Sequence, residues 1–289
     1  MIDYNSFYYI SSVLWFFAII FLLLSFKKSN KFLTLGLVFN VLAILVISGF
    51  IVYLWQELDR PPMRTLGETR LWYALFLPII GTVFYIRWKY VWILFYTILM
   101  AFLFLTLNYF NPDMYSQTLM PALQSPWFVP HVIVYLFSYA ALGVSCIVAI
   151  KELIQPSERS LQMADNLVYI GTAFLTLGLL FGALWAKEAW GHYWTWDPKE
   201  TWTLISIIVY AIIIHLKYIK GMFNDYLLSL LSVVSYFSII MTYFGVNYFL
   251  SGKHSDAAGD PIQIPSFVYI SLVIIFIVIL LSFRNRKVL

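Results

Sequence analysis

The stretch Trp190-Gly191-His192-Tyr193-Trp194-Thr195-Trp196-Asp197-Pro198-Lys199-Glu200 lies between two long apolar runs, at about 166–185 and 199–218. Its last four residues read as a helix start, with Asp197 as N-cap, Pro198 at the first helical position and Glu200 at the third. The aromatic half precedes that cap, so it lies outside the helix it introduces. Extended, it would place Trp190, His192, Trp194 and Trp196 on one face; helical, it would gather Trp190, Tyr193, Trp194 and Asp197. Either arrangement brings π-surface and an imidazole together, which suits a large flat apolar ligand carrying a metal. The alternative is an aromatic belt at a membrane interface, where Trp and Tyr are enriched. Belt residues scatter among several helix ends, whereas here three tryptophans, a tyrosine and a histidine fall within seven residues. That density favours a ligand platform.

Outward from this loop the chain is greasy throughout. It is 62% hydrophobic and only 11% charged, against roughly 25% charged residues in soluble domains. That excludes a soluble enzyme and predicts an all-α integral membrane protein. Nine apolar runs, at about 7–26, 32–55, 71–86, 90–107, 129–150, 166–185, 199–218, 227–250 and 266–283, have near the length a spanning helix needs. The expectation is a polytopic helical bundle of about nine transmembrane helices, or eight if the short third and fourth runs, parted only by Arg87, Trp88 and Lys89, act together. The first run is long enough to span and has no basic segment before it, so it reads as a helix rather than a cleavable leader. Residues 1–64 hold the first two helices, and 65–289 the remainder with the loop at 190–200. The single cysteine, Cys146, sits mid-run and reads as core filler, and neither a disulfide within the chain nor a Cys-x-x-Cys motif is available.

With the N-terminus outside and the C-terminus inside, twelve of the eighteen Lys and Arg residues fall in cytoplasmic loops, as the positive-inside rule requires. The tryptophan-rich loop is then a short outer-face loop. Three of the four histidines fall on that outer side: His131 behind Pro126-Trp127-Phe128-Val129-Pro130, His192 in the loop, and His254 in Ser251-Gly252-Lys253-His254-Ser255. The fourth, His215, lies in the seventh run near its inner end, two positions before Lys217. It is either an interfacial residue or an intramembrane functional group. Imidazole is a common metal and haem ligand, while no two histidines or cysteines have zinc-site spacing. Asp197 reads as a cap, and Lys199 and Glu200 as a solvated first turn.

The run from Trp190 to Glu200, continuing through Thr201 to Trp202, resembles the W-G-x-x-W-x-W-D signature of the haem-handling proteins of cytochrome c biogenesis, and within them the CcsA (ResC) component of the cytochrome c synthetase. Ser125-Pro126-Trp127 leading into His131, and Val246-Asn247 leading through Gly252 to His254-Ser255, agree with it. The resemblance covers roughly residues 65–284. It implies that His131 and His254 are outer axial ligands of haem b iron, with Trp190, Trp194, Trp196 and Asp197 in the platform between them. It implies an intramembrane haem ligand in His215. Position 192 is commonly small and polar in the family, and His192 reads as a spacer rather than a third ligand.

The same resemblance implies covalent haem attachment to c-type apocytochromes in the bacterial cytoplasmic (inner) membrane, with the haem site facing the periplasm or exterior. Its partners would be a CcsB (ResB)-like membrane subunit, a Cys-x-x-Cys-His apocytochrome and a thioredoxin-like thiol reductant; nothing points to nucleic acid. No side chain of this chain is needed as a catalytic base or nucleophile. Two other readings compete: a CcmC-like haem exporter or chaperone subunit, which has fewer helices, and a bis-histidine haem electron carrier, which needs paired ligands at depth. A structural scaffold would leave the outer histidines unexplained.

Overall fold

A computed structural model describes residues 4–26, 30–110, 121–155, 158–219, 224–250 and 252, together with positions 273, 276, 277 and 280. These residues form α-helices and no strand. The helices are α1 (Tyr4–Ser25), α2 (Asn30–Leu58), α3 (Leu66–Trp88), α4 (Val91–Phe110), α5 (Phe128–Ile154), α6 (Glu158–Trp190), α7 (Pro198–Leu216), α8 (Asp225–Ile240) and the short α9 (Val246–Phe249). A 3₁₀ turn (Pro121–Gln124) precedes α5, and a π-helical turn (Met241–Gly245) joins α8 to α9. Eight of these helical segments are long and apolar enough to cross a membrane, so the protein is a multi-pass membrane bundle. They coincide with the first eight apolar runs, and the third and fourth are separate spans. The ninth run, 266–283, lies outside the described residues except at four helical, exposed positions: Val273, Phe276, Ile277 and Leu280.

Helix ends follow local chemistry. α3 starts five residues before its apolar run because Thr65 and Glu68 form a reciprocal capping box. It ends where Lys89 turns left-handed at φ 60°. Pro78 lies inside α3, and its carbonyl accepts from the Thr82 hydroxyl at 2.7 Å.

The chain divides into two compact units, Met1–Ala140 and Ala141–Leu289. In the first, α1 packs on α2 and α4, and α3 packs on α2 and α4. Lipid tails are as apolar as leucine, so association inside a bilayer rests on close packing and buried hydrogen bonds. Both are present. Phe7 stacks on Phe50 with centroids 4.0 Å apart, and the α3–α4 crossing closes over Gly81, where a Cβ would collide with Thr97. Asn40, fully buried, accepts from Trp15 Nε1 at 3.3 Å and donates to Thr82 Oγ1 at 2.8 Å, tying α1, α2 and α3 together. The α2–α3 turn is held by Arg60, whose guanidinium grips both oxygens of buried Glu68 at 2.6 and 2.9 Å.

In the second unit α7 packs against α6 and α8. Ser145 donates to the Ala164 carbonyl at 2.8 Å between α5 and α6, and Ser206 meets Thr242 at 3.3 Å between α7 and the π turn. Cys146 is buried among Ala149, Leu153, Tyr226 and Val233, as core filler should be. The tryptophan-rich segment lies at the α6–α7 junction of this unit.

Candidate functional site

Three local devices shape the junction. At the end of α6, Gly191 takes φ +83°, a left-handed conformation that glycine adopts without steric cost. Its N–H donates to the Lys187 carbonyl at 3.0 Å, and the Lys187 ammonium returns to the Gly191 carbonyl at 2.8 Å. The same ammonium lies 5.5 Å from the Tyr193 ring centroid, a cation–π distance. At the start of α7, Asp197 is the N-cap, Pro198 follows it, and Glu200 completes a capping box, as the Asp-Pro-Lys-Glu order predicts.

Glu200 is not the solvated first-turn residue expected from sequence. It is half-buried, and its Oε2 accepts from the Thr195 N–H at 2.8 Å and the Asp197 N–H at 3.2 Å. Lys199 is half-buried too, its N–H donating to Asp197 Oδ2 at 3.2 Å.

The aromatic residues form neither a strand nor a helical face. Trp190 is the last residue of α6 and pairs with buried Trp185, centroids 4.9 Å apart. Trp194 and Trp196 form a separate edge-to-face pair, 5.6 Å apart at 88°. One flat ligand can therefore lie face-on against only one of these two rings. Trp196 is the open one: 68% of its surface is exposed, whereas Trp194 is half-buried. Tyr193 and His192 are exposed beside it.

Gly252 comes up against this junction. A Cβ placed there would sit 2.6 Å from Asp197 Oδ1 and 3.0 Å from Pro198 Cδ. The chain that leaves α9 thus touches the cap of α7, with His254 two residues further on in sequence; His254 itself lies outside the described residues. His131 belongs to the first unit, in the opening turn of α5. Ser125 shapes that entry, accepting from the Trp127 N–H at 3.2 Å, and the His131 ring meets Tyr135 edge-to-face at 4.7 Å.

His215 is distant from the tryptophans. It is the penultimate residue of α7, about 27 Å along the axis from Asp197. Its Nδ1 lies 2.7 Å from the Ala211 carbonyl, which can only accept, so Nδ1 is the donor in this contact. Beside it Lys217 pairs with Asp165 and lies 4.9 Å from the Tyr169 ring. Among the described residues, no three His, Cys, Asp or Glu side chains gather as a metal cluster would need.

These features agree with what the chain resembles as a whole. Residues 5–254 match the model of the cytochrome C assembly protein family. The chain belongs to that family. It is 41% identical over 182 residues to Protein NrfI of Wolinella succinogenes, covering 57% of this chain and 20% of that one. It is 38% identical over 153 residues to the cytochrome c biogenesis protein CcsA of Chlamydomonas reinhardtii, covering 48% of this chain and 43% of that one. With CcsA of Marchantia polymorpha it shares 28% identity over 277 residues, covering 76% of this chain and 86% of that one. The matches with the first two span less than half of those relatives' length. The fold is that of the cytochrome c haem lyase CcmF, with a TM-score of 0.67 at 18% identity over 97% of this chain and 51% of that one.

Sequence reasoning missed Glu200 as an organiser of the loop, together with Lys187 and Trp185, and named Gly252 only on the way to His254. Only Glu200 carried a signal, its N3 position in the capping box.

Proposed function

We propose that this chain is the CcsA component of a two-part cytochrome c synthetase, which holds haem b as substrate and presents it to c-type apocytochromes. The observation that carries the reading is the open indole face of Trp196 beside the α7 cap, where Gly252 brings in the segment leading to His254. His131 and His254 would supply the axial imidazoles, with Trp196 lying against the macrocycle and Trp194 set edge-to-face beside it.

In the reaction each apocytochrome thiol adds across one haem vinyl. Sulfur bonds to one vinyl carbon and the proton goes to the other, so the addition itself transfers no net electrons. The chain's task is placement: two imidazoles hold the iron while the indole fixes the ring plane, and the client histidine then displaces one of them. Reduced thiols are required, hence a thioredoxin-like reductant. A CcsB-like subunit would complete the enzyme. The twelve-to-six division of basic residues supports N-out, C-in insertion, with the site on the outer face of a bacterial cytoplasmic membrane.

Co-expression with a CcsB-like subunit and a Cys-x-x-Cys-His reporter tests this by scoring covalent haem. His131→Ala and His254→Ala should each lower maturation, added imidazole should partly restore it, and His192→Ala should matter less. Loss of haem in His192→Ala with retention in His254→Ala would refute the ligand assignment.

A further inference from the structure

Among the described residues three non-glycine residues have positive φ: Asp59, Lys89 and Trp196. Asp59 and Lys89 follow the ends of α2 and α3, where a left-handed residue commonly stops a helix. Trp196 precedes a helix, and for a bulky aromatic side chain φ +59° is a genuine outlier that surrounding interactions must hold. Those interactions are visible. The peptide N–H groups on either side of Trp196, of Thr195 and Asp197, both donate to the same oxygen, Oε2 of Glu200. The Trp196 carbonyl accepts from the Thr201 hydroxyl at 3.3 Å. Oε1 of Glu200 lies 3.5 Å from the Thr195 hydroxyl, which donates to it.

We propose that Glu200 is a positioning residue: by bridging the two amides that flank Trp196 it holds that residue left-handed and so aims the indole outward. Reversing the sign of φ would swing the Cα–Cβ bond and carry the ring away from its 68% exposed position. An ordinary helix cap needs only an acceptor near the first turn, and an acid–base group needs a titrating carboxyl. The bridge needs no titrating carboxyl; it needs one acceptor oxygen held at the reach of a glutamate. The consequence for haem rests on the platform reading of Trp196, whereas the positioning itself does not.

Glu200→Asp keeps the charge and the favourable acidic residue in the first turn, but is one methylene too short to reach the Thr195 amide. Glu200→Gln loses the charge and keeps the bridging oxygen, with its amide group facing the Thr195 hydroxyl. Each variant is made in the full chain, and hydroxyl-radical labelling of Trp196 is read by mass spectrometry on haem-free protein. Haem content and reporter maturation with the CcsB-like subunit are measured in parallel.

Glu200→Asp should lower Trp196 labelling and haem content by about five-fold, the factor matching the left-handed penalty, while Glu200→Gln stays near wild type. Thr201→Val, which removes only the hydroxyl donor to the Trp196 carbonyl, should give an intermediate loss; it serves as the second variant where Glu200→Asp does not accumulate. Unchanged labelling in both Glu200→Asp and Thr201→Val, or equal losses in Asp and Gln variants, overturns the proposal. Labelling that falls as expected while haem content stays constant supports the positioning role and removes the haem platform instead.

Discussion

Gly252→Ala tests whether the chain leaving α9 really seats against the α7 cap. The new methyl carbon would lie 2.6 Å from Asp197 Oδ1 and 3.1 Å from its Cγ, closer than non-bonded atoms tolerate. Asp197 cannot simply swing aside, because its side chain is buried and caps α7 through Lys199 N–H. Either the cap breaks, at about 1 kcal/mol, or the segment shifts, with an overpacking cost of about 1–3 kcal/mol. A net loss of about 2 kcal/mol corresponds to a fall in Tm of about 4–8 °C, measurable by thermal unfolding in detergent. Asp197→Ala alone should cost about 1 kcal/mol. The two changes are strongly coupled: once the carboxylate is gone the methyl group has room, so the double variant should match Asp197→Ala within about 0.5 kcal/mol. Additive costs, or an unchanged Tm in Gly252→Ala, would refute the contact between Gly252 and the α7 cap.

Two further outcomes concern the first unit. Glu68→Ala removes one half of a buried ion pair and should cost about 3–5 kcal/mol in thermal or denaturant unfolding. Gly81→Val should lower stability by about 1–3 kcal/mol through collision with Thr97, and Thr97→Ala in the same chain should return part of that loss.

What sequence reasoning recovered, and what it did not, follows from the range of the interactions involved. The Asp197–Pro198–Glu200 helix start was legible because capping is settled within four residues. Eight spans were legible because apolar length alone decides them. The start of α3 was placed late, since the Thr65–Glu68 box lies in a polar stretch that carries no hydropathy signal. The aromatic loop resisted for another reason. Face-sharing rules assume regular φ and ψ, and Gly191 and Trp196 both break them, so the expected slab resolves into a Trp185–Trp190 pair and a Trp194–Trp196 pair. The bridging role of Glu200 depends on that same irregularity. Gly252 meets Asp197 across more than fifty residues of chain, a contact no local pattern announces.

The C-terminal end of α7 carries the last argument. Ile205, Ile208, Ile212 and His215 recur at helical spacing and are all exposed, so the histidine stands in an apolar outward stripe. An imidazole facing hydrocarbon is costly, and such groups are found turned toward a partner or a ligand instead. Here the Ala211 carbonyl accepts from Nδ1, a contact of the kind that orients a metal-ligating histidine. If haem or a CcsB-like subunit meets this stripe, bulk added to it should hinder function without disturbing the fold. Ile212 and its neighbour Ile213 make the comparison sharp, one 52% and the other 1% exposed. Ile212→Trp should leave the Tm of the purified chain unchanged yet reduce reporter maturation, as His215→Ala should. Ile213→Trp should instead lose about 1–3 kcal/mol of stability by overpacking. Full maturation by Ile212→Trp in the presence of the partner would show that nothing docks on this face.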